Sequence, residues 1–263
     1  MSNILWDKGN TSVNDAIMAF CAGDDVILDR ELIVFDIQAS CAHVEGLERI
    51  GILDEQERDA LLGEREILAE AWLAGDFILD ERFEDGHSAI EHWLTEKLGD
   101  LGKKVHTGRS RNDQVLVASR LFLRHTLMHA LSLCQSIVSV ALERAEAHAD
   151  TPMPGYTHLQ RAVPSSVGMW FAWIAESFID NMALLFSVAR QVDANPLGTA
   201  AGYGVNLALD REHTTSALDF WRMQINPIYA QNSRGKFEML VLQSLGQAML
   251  DVRRIAWDIS LFT

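Results

Sequence analysis

Apolar side chains recur at helical intervals along most of the chain. Between Glu31 and Ile50 the positions Ile33, Ile37, Val44 and Leu47 fall on one face, and Gly51 ends the pattern. Asp54 predicts the N-cap of a second helix, with Leu61, Leu62, Ile67, Leu68 and Trp72 as its buried face and a stop near Gly75. From Ser110 to Asp150 there is neither Gly nor Pro for 41 residues, which predicts one continuous helix roughly 60 Å long. It carries two apolar stripes. One is Val117, Leu121, Met128, Leu131, Val138 and Leu142, and the other is Leu123, Leu127, Ala130, Cys134, Ile137 and Ala141. Two stripes predict cover on more than one side, by neighbours in a bundle or by other subunits. A second long helix is expected from Ser165 to about Val192, extensively buried through Met169, Trp170, Phe171, Trp173, Ile174, Phe178, Met182, Leu185 and Phe186. A third runs from near Gly235 to Thr263 with no terminating signal.

No strand-like alternation is long enough to predict a sheet, and all five prolines lie between Pro152 and Pro227. The expected fold class is therefore all-α. A boundary near Lys103–Thr107 separates a small helical domain, 1–106, from a long-helix domain, 107–263.

Charge narrows the partners. With 22 Lys+Arg against 37 Asp+Glu the net charge is −15, so no nucleic acid and no anionic membrane surface is expected as the main partner. The opening lacks a basic-then-apolar signal, and the longest unbroken apolar run, Val167 to Ala175, is far short of the ~20 residues that span a bilayer. Cys21, Cys41 and Cys134 are distant and odd in number. They form neither a disulfide scaffold nor a four-thiolate zinc site, which predicts a cytoplasmic setting.

Candidate chemistry clusters in three segments. Lys103-Lys-Val-His-Thr-Gly-Arg-Ser-Arg-Asn-Asp-Gln114 sets two Lys and two Arg beside hydroxyl and amide groups where the long helix starts. Helix N-terminal amides and Arg forks suit a carboxylate. A plain cap by Asn112 or Asp113, with the arginines in surface pairs, fits the same residues. Pro152-Met-Pro-Gly-Tyr-Thr-His-Leu-Gln-Arg161 reads as a rigid loop in which His158 can exchange protons near neutral pH. Asn195-Pro-Leu-Gly-Thr-Ala-Ala-Gly-Tyr-Gly204 matches neither the dinucleotide nor the phosphate-loop pattern. Leu209-Asp-Arg-Glu212 reads as an N-cap and first helical turn. His125 and His129 have metal-ligand spacing but lack a nearby acid and third ligand, so no metal is expected. His87, in Phe83-Glu-Asp-Gly-His-Ser-Ala-Ile-Glu91, fits a helix cap or a substrate contact.

Together, His106-Thr-Gly-Arg-Ser-Arg-Asn-Asp-Gln-Val115, Met153-Pro-Gly-Tyr-Thr-His-Leu-Gln160 and Asn195-Pro-Leu-Gly198 closely resemble the argininosuccinate lyase family of the fumarase/aspartase superfamily. The resemblance implies reversible elimination of L-arginine from argininosuccinate to give fumarate, with no cofactor. It implies a small N-terminal helical domain, a long-helix bundle and a C-terminal domain, assembled as a homotetramer with active sites shared between subunits. By carry-over, Ser110, Arg111 and Asn112 bind substrate carboxylates, Thr157 hydrogen-bonds the substrate and His158 is catalytic, with His87 and Gln160 as further substrate-binding candidates. Adenylosuccinate lyase and a non-catalytic crystallin-like scaffold are the competing readings, and the Arg-Ser-Arg-Asn-Asp motif argues against the first.

The family's Gly-Ser-Ser-x-Met-Pro-x-Lys-x-Asn loop, which supplies a catalytic serine, does not occur in these 263 residues. The chain therefore reads as a truncated bundle, incomplete at its C-terminal end and without useful turnover alone. Three smaller departures from the family pattern are Leu5-Trp-Asp-Lys-Gly9, Phe20-Cys-Ala-Gly-Asp-Asp-Val26 and the glycine in Asn232-Ser-Arg-Gly-Lys236.

Overall fold

The computed structural model describes residues 20, 23–80 and 82–262. The Leu5–Gly9 segment and Cys21 lie outside the described residues. In chain order the main elements are α1 (Ile33–Arg49), α2 (Glu55–Ala74), α3 (Gly86–Leu98) and α4 (Arg111–Ala147). There follow β1 (Pro152–Thr157), β2 (Gln160–Ser166), α5 (Val167–Val192), β3 (Ala194–Asn195), α6 (Arg211–Ala217), β4 (Arg222–Met223), α7 (Pro227–Asn232) and α8 (Lys236–Phe262). The chain is helical, with only two two-stranded sheets among the described residues, and the all-α expectation holds.

Two compact units divide it. The first comprises the described part of Met1–Phe122 with Asp193–Arg234, and the second Leu123–Val192 with the described part of Gly235–Thr263. This division cuts through α4, whereas the sequence places its boundary at 106/107.

In the first unit, α1, α2 and α3 close over a core that includes Ile33, Leu47, Leu61, Leu68, Leu79 and Leu94. Asp54 and Glu57 form a reciprocal capping box at the start of α2, and Gly75 ends it at φ +80, a left-handed conformation glycine adopts without penalty. One expected core residue of α2 is displaced. Ile67 is 49% exposed, whereas Arg65 is fully buried, because 61, 65, 68 and 72 share a face and 67 lies off it. A second cluster joins Ala39 and Ala42 of α1 to Val117 and Leu121 of α4 and to Leu197. β3 pairs with β4 in parallel, holding the segment after Asp193 against the residues leading into α7.

In the second unit, α4, α5 and α8 share a core of Leu127, Cys134, Ala141, Ile174, Phe178, Leu185, Phe237 and Val241. The Trp170 indole donates to Asp258 Oδ2 at 2.9 Å, and Asn181 Nδ2 donates to Asp251 Oδ2 at 2.8 Å. The second α4 stripe faces this core. The first is divided: Leu131 and Val138 pack partly against the same core, Val117 and Leu121 are buried against α1, and Met128 is 55% and Leu142 47% exposed. Burial of α5 is likewise less extensive than expected, since Met169 and Phe186 are exposed, and α8 adds Leu242 and Trp257. Three helices cover one side of one another and leave the opposite sides bare. By length and composition α4 and α5 could each cross a membrane, but helices packed on two sides of a bundle have the same composition.

The segment expected to be a loop is instead an antiparallel hairpin, β1 with β2, with an irregular register between Pro154 and Tyr156. Its strands are mostly exposed on both faces, so they carry no apolar alternation, and Pro152, Pro154 and Pro164 obscure them further. Backbone bonds anchor its base: Val167 N donates to Thr151 O, and Gly168 N to His148 O, both at 2.9 Å. A Cβ on Gly168 would lie 2.6 Å from Ala145 O and 2.7 Å from Ala149 Cα. Gly168→Ala must separate α5 from the end of α4. It is expected to cost about 2–3 kcal/mol, read as a lowered urea midpoint.

Candidate functional site

Ser110 is the N-cap of α4, and the sequence-level choice between Asn112 and Asp113 resolves in favour of Asp113. Its Oδ1 accepts Ser110 N at 2.9 Å, completing a capping-box bond. Its Oδ2 accepts Gly198 N at 2.9 Å and Ala200 N at 3.0 Å, and the side chain is fully buried. One carboxylate thus ties the helix start to the Asn195–Ala200 loop. Asn195 holds that loop from within: its Oδ1 accepts Leu197 N, and its Nδ2 donates to Thr214 and Thr215. Arg211 donates to the carbonyls of Leu197, Gln224 and Ile225. The loop is a clamp on α4. Asp210 caps α6 as expected, accepting His213 N at 2.8 Å.

The four basic residues of the motif do different work. Lys103 pairs with Asp100 and Lys104 with Glu57. Arg109 is fully buried, donating to Ser40 Oγ at 2.7 Å and lying 3.7 Å from Asp36 Oδ1. Only Arg111 stands at the helix start, 2.6 Å from Glu84 Oε1 and 3.3 Å from Asp85 Oδ2. Burial lowers its guanidinium pKa, but the Glu84 hydrogen bond and the Asp85 charge more than offset this and hold it above its ordinary value. Asn112 is exposed beside it, its carbonyl receiving Arg234 Nη2 at 2.8 Å.

Asp85, not His87, caps α3, in a capping box with Ser88. The His87 ring is buried, and its Nδ1 pairs with Asp36 Oδ2. Burial would push this imidazole down, but the Asp36 charge and hydrogen bond outweigh it and raise its pKa. The same contact, with Arg109 and Arg65, holds Asp36 below its ordinary value against the upward push of burial. Arg65 is pulled by burial to about 10, with Cys41 and Asp36 supporting its charge and Arg109 opposing it.

His43 behaves oppositely. Burial, then Arg109, drive it well below its ordinary value, so the neutral ring donates from Nε2 to Thr107 O at 2.9 Å. A histidine depressed in the fold contributes stability that is present above its unfolded value of about 6.5 and lost as pH falls below it. His43→Gln, which keeps a donor for Thr107, is therefore expected to flatten the decline in urea stability between pH 6.5 and 5.

Thr157, His158 and Gln160 sit in the second unit, on the exposed tip of the hairpin. Thr157 pairs with Gln160, so His158 and Leu159 are the central residues of a two-residue turn, with φ +53 and +60. Hairpins of this kind need positive φ at both central positions, usually met by Asn-Gly. A leucine there is strained by about 1–2 kcal/mol. The expected site residues thus form two groups: His87, Ser110, Arg111 and Asn112 in the first unit, and Thr157, His158 and Gln160 in the second. The α4 helix between them in sequence runs 37 residues, about 55 Å.

Sequence reasoning missed Asp36, Ser40, His43, Glu84 and Arg234. The first three were legible as polar residues at i, i+4 and i+7 on α1, a face on which the apolar reading did not look. Among the described residues there is no cluster of three or more His, Cys, Asp or Glu side chains able to hold a metal.

A family profile described as Lyase matches residues 11–263. The chain belongs to this lyase family. Within it, the chain is 60% identical over all its 263 residues to an argininosuccinate lyase from Stenotrophomonas maltophilia, and 59% identical to one from Xanthomonas oryzae pv. oryzae. It spans 61% of the length of each relative. Among solved structures it is similar to EDDS lyase in complex with formate, with a TM-score of 0.80 and 25% identity over 96% of this chain and 50% of that one. A fumarate lyase from Mesorhizobium sp. BNC1 shares the fold, with a TM-score of 0.72 at 20% identity over 96% of this chain and 58% of that one.

Proposed function

We propose that the protein is an argininosuccinate lyase, eliminating L-arginine from argininosuccinate to leave fumarate, and that this chain supplies two parts of its active site. The observation that carries this reading is the start of α4. Ser110, Arg111 and Asn112 stand together at the N-terminus of a 37-residue helix, clamped by Asp113. A helix N-terminus with an Arg fork suits the carboxylates that every succinyl substrate carries. The 60% identity with argininosuccinate lyases across the whole chain supports that substrate within the family.

The chemistry assigns roles. A base removes the weakly acidic proton on the carbon next to one carboxylate, so negative charge builds on that carboxylate. The C–N bond then breaks, its electron pair goes to the guanidino nitrogen, and an acid supplies the proton that nitrogen needs. Ser110, Arg111 and Asn112 hold the carboxylates and meet the developing charge. Thr157 and Gln160 orient the substrate, His87 lends a positive charge, and His158 takes part in proton transfer. No cofactor or metal enters this route.

The assembly we propose is a cytoplasmic homotetramer in which the two residue groups of one site come from different subunits. The length of α4, which separates them in sequence, supports this, as do the bare apolar faces at Met128, Phe186, Leu242 and Trp257. These faces then meet other copies rather than lipid.

The test uses a chimera of these 263 residues with the remainder of the Stenotrophomonas lyase. Arg111→Leu and His158→Gln chimeras, each inactive alone, are unfolded together and refolded as a mixture. Fumarate release from argininosuccinate is expected to return in the mixture. Continued inactivity of folded, assembled mixtures would count against the shared site.

A further inference from the structure

Helix α1 carries a buried polar stripe. Asp36, Ser40 and His43 lie one turn apart on a single face and are 2%, 2% and 3% exposed. Each grips a residue beside the candidate site. Asp36 Oδ2 takes His87 Nδ1 in the first turn of α3. Ser40 Oγ accepts Arg109 Nη1 at 2.7 Å, and Asp36 Oδ1 lies 3.7 Å from Arg109 Nη2. His43 Nε2 donates to the Thr107 carbonyl at 2.9 Å. The starts of α3 and α4 also meet directly, through Arg111 Nε and Asp85 Oδ2 at 3.3 Å.

Burying a carboxylate, a guanidinium and an imidazole is a poor way to gain stability. Well-packed apolar residues of similar volume commonly do as well or better, whereas removing one partner of such a group is costly. The stripe therefore calls for a role in positioning.

We propose that Asp36 is a positioning residue for the carboxylate site, fixing the first turn of α3 through His87 and the approach to Ser110 through Arg109. This rests on the lyase reading above. Asp36 touches no substrate; it acts through the two residues it holds. Without it, His87 loses its counter-charge and Arg109 loses its nearest carboxylate, so the two helix starts lose the common support beneath them. The charged groups facing His87 are Asp36, Asp85 and Asp29 on one side of the balance and Arg109 and His106 on the other. Those facing Asp36 are His87, Arg109 and Arg65. Among the described residues, Asp36 is the one carboxylate that His87 and Arg109 share.

The test follows the His87 titration by NMR on the 263-residue protein with ring-15N-labelled histidine, and fumarate binding by calorimetry on the chimera with the Stenotrophomonas remainder. Asp36→Asn is expected to lower the His87 midpoint by about one pH unit or more. It is also expected to weaken fumarate binding about tenfold. A purely structural role would change the unfolding midpoint and leave the fumarate affinity of the folded protein where it was. An unchanged midpoint, or unchanged fumarate affinity, overturns the proposal. If circular dichroism shows that Asp36→Asn does not fold, Ser40→Ala decides. It removes only the hydroxyl that Arg109 reaches, and about threefold weaker fumarate binding is expected, equal affinity being contrary. A parental chimera that binds no fumarate, while the 263-residue protein shows His87 held by Asp36, supports the hold and counts against the lyase reading instead.

Discussion

His158→Gln in the chimera is expected to lower kcat for fumarate release by about 10²- to 10⁴-fold, the range typical of losing a proton-transfer group. The unfolding midpoint should move little, because His158 is exposed at the hairpin tip and makes no core contact that the substitution would remove. The backbone argues for a role beyond the fold. His158 and Leu159 are two of the four non-glycine residues with positive φ among the described residues, and they are adjacent. Strain kept at a solvent-exposed turn, where Asn-Gly would relieve it, marks a position held for something other than stability. Steady-state assays at saturating argininosuccinate measure the loss. A His158→Gln chimera with parental kcat would remove His158 from the chemistry.

Asp113→Ala is expected to cost about 4 kcal/mol, since one buried carboxylate satisfies three backbone N–H groups and charged hydrogen bonds contribute about 1.5–3 kcal/mol each without full additivity. The three donors, Ser110, Gly198 and Ala200, belong to two segments far apart in sequence. The same change therefore frays the N-terminus of α4 and releases the Asn195–Ala200 loop. Hydrogen exchange reads this directly, as loss of protection at the Gly198 and Ala200 amides along with the lowered urea midpoint. Protection equal to the parent's would mean that Asp113 is not the clamp.

The contrast between these two residues shows what the sequence made legible. Helices were readable wherever one face is apolar over several turns: Asp54 and Gly75 bracket α2 as their residue types require, and the absence of Gly and Pro marks α4 almost to its ends. The β1–β2 hairpin was not readable, because exposed strands need no apolar alternation and three prolines disguise them. Extensive burial was overestimated for α5 because apolar periodicity reports which faces avoid water, and not whether this chain alone covers them.

At the candidate site the residue types were legible and their division of labour was not. The run from Lys103 to Arg111 looks like one basic cluster. In the fold Lys103, Lys104 and Arg109 are committed to Asp100, Glu57 and the Ser40–Asp36 stripe, and only Arg111 remains at the helix start. Partners drawn from 47 or 69 residues away leave no local trace. His87 lies in the first turn of α3, and its partner Asp36, 51 residues earlier, emerges only when α1 packs beneath α3. Asp113 could be recognised as a cap candidate, whereas its grip on Gly198 and Ala200 depends on a turn 85 residues on.

The most direct test of the central claim is the initial rate of fumarate formation, followed by ultraviolet absorbance, when the parental chimera is given argininosuccinate and, separately, adenylosuccinate. Release of fumarate and arginine from argininosuccinate alone, abolished by Arg111→Leu, is the predicted result. Fumarate from adenylosuccinate but not from argininosuccinate, or from neither by a folded and assembled chimera, would contradict it.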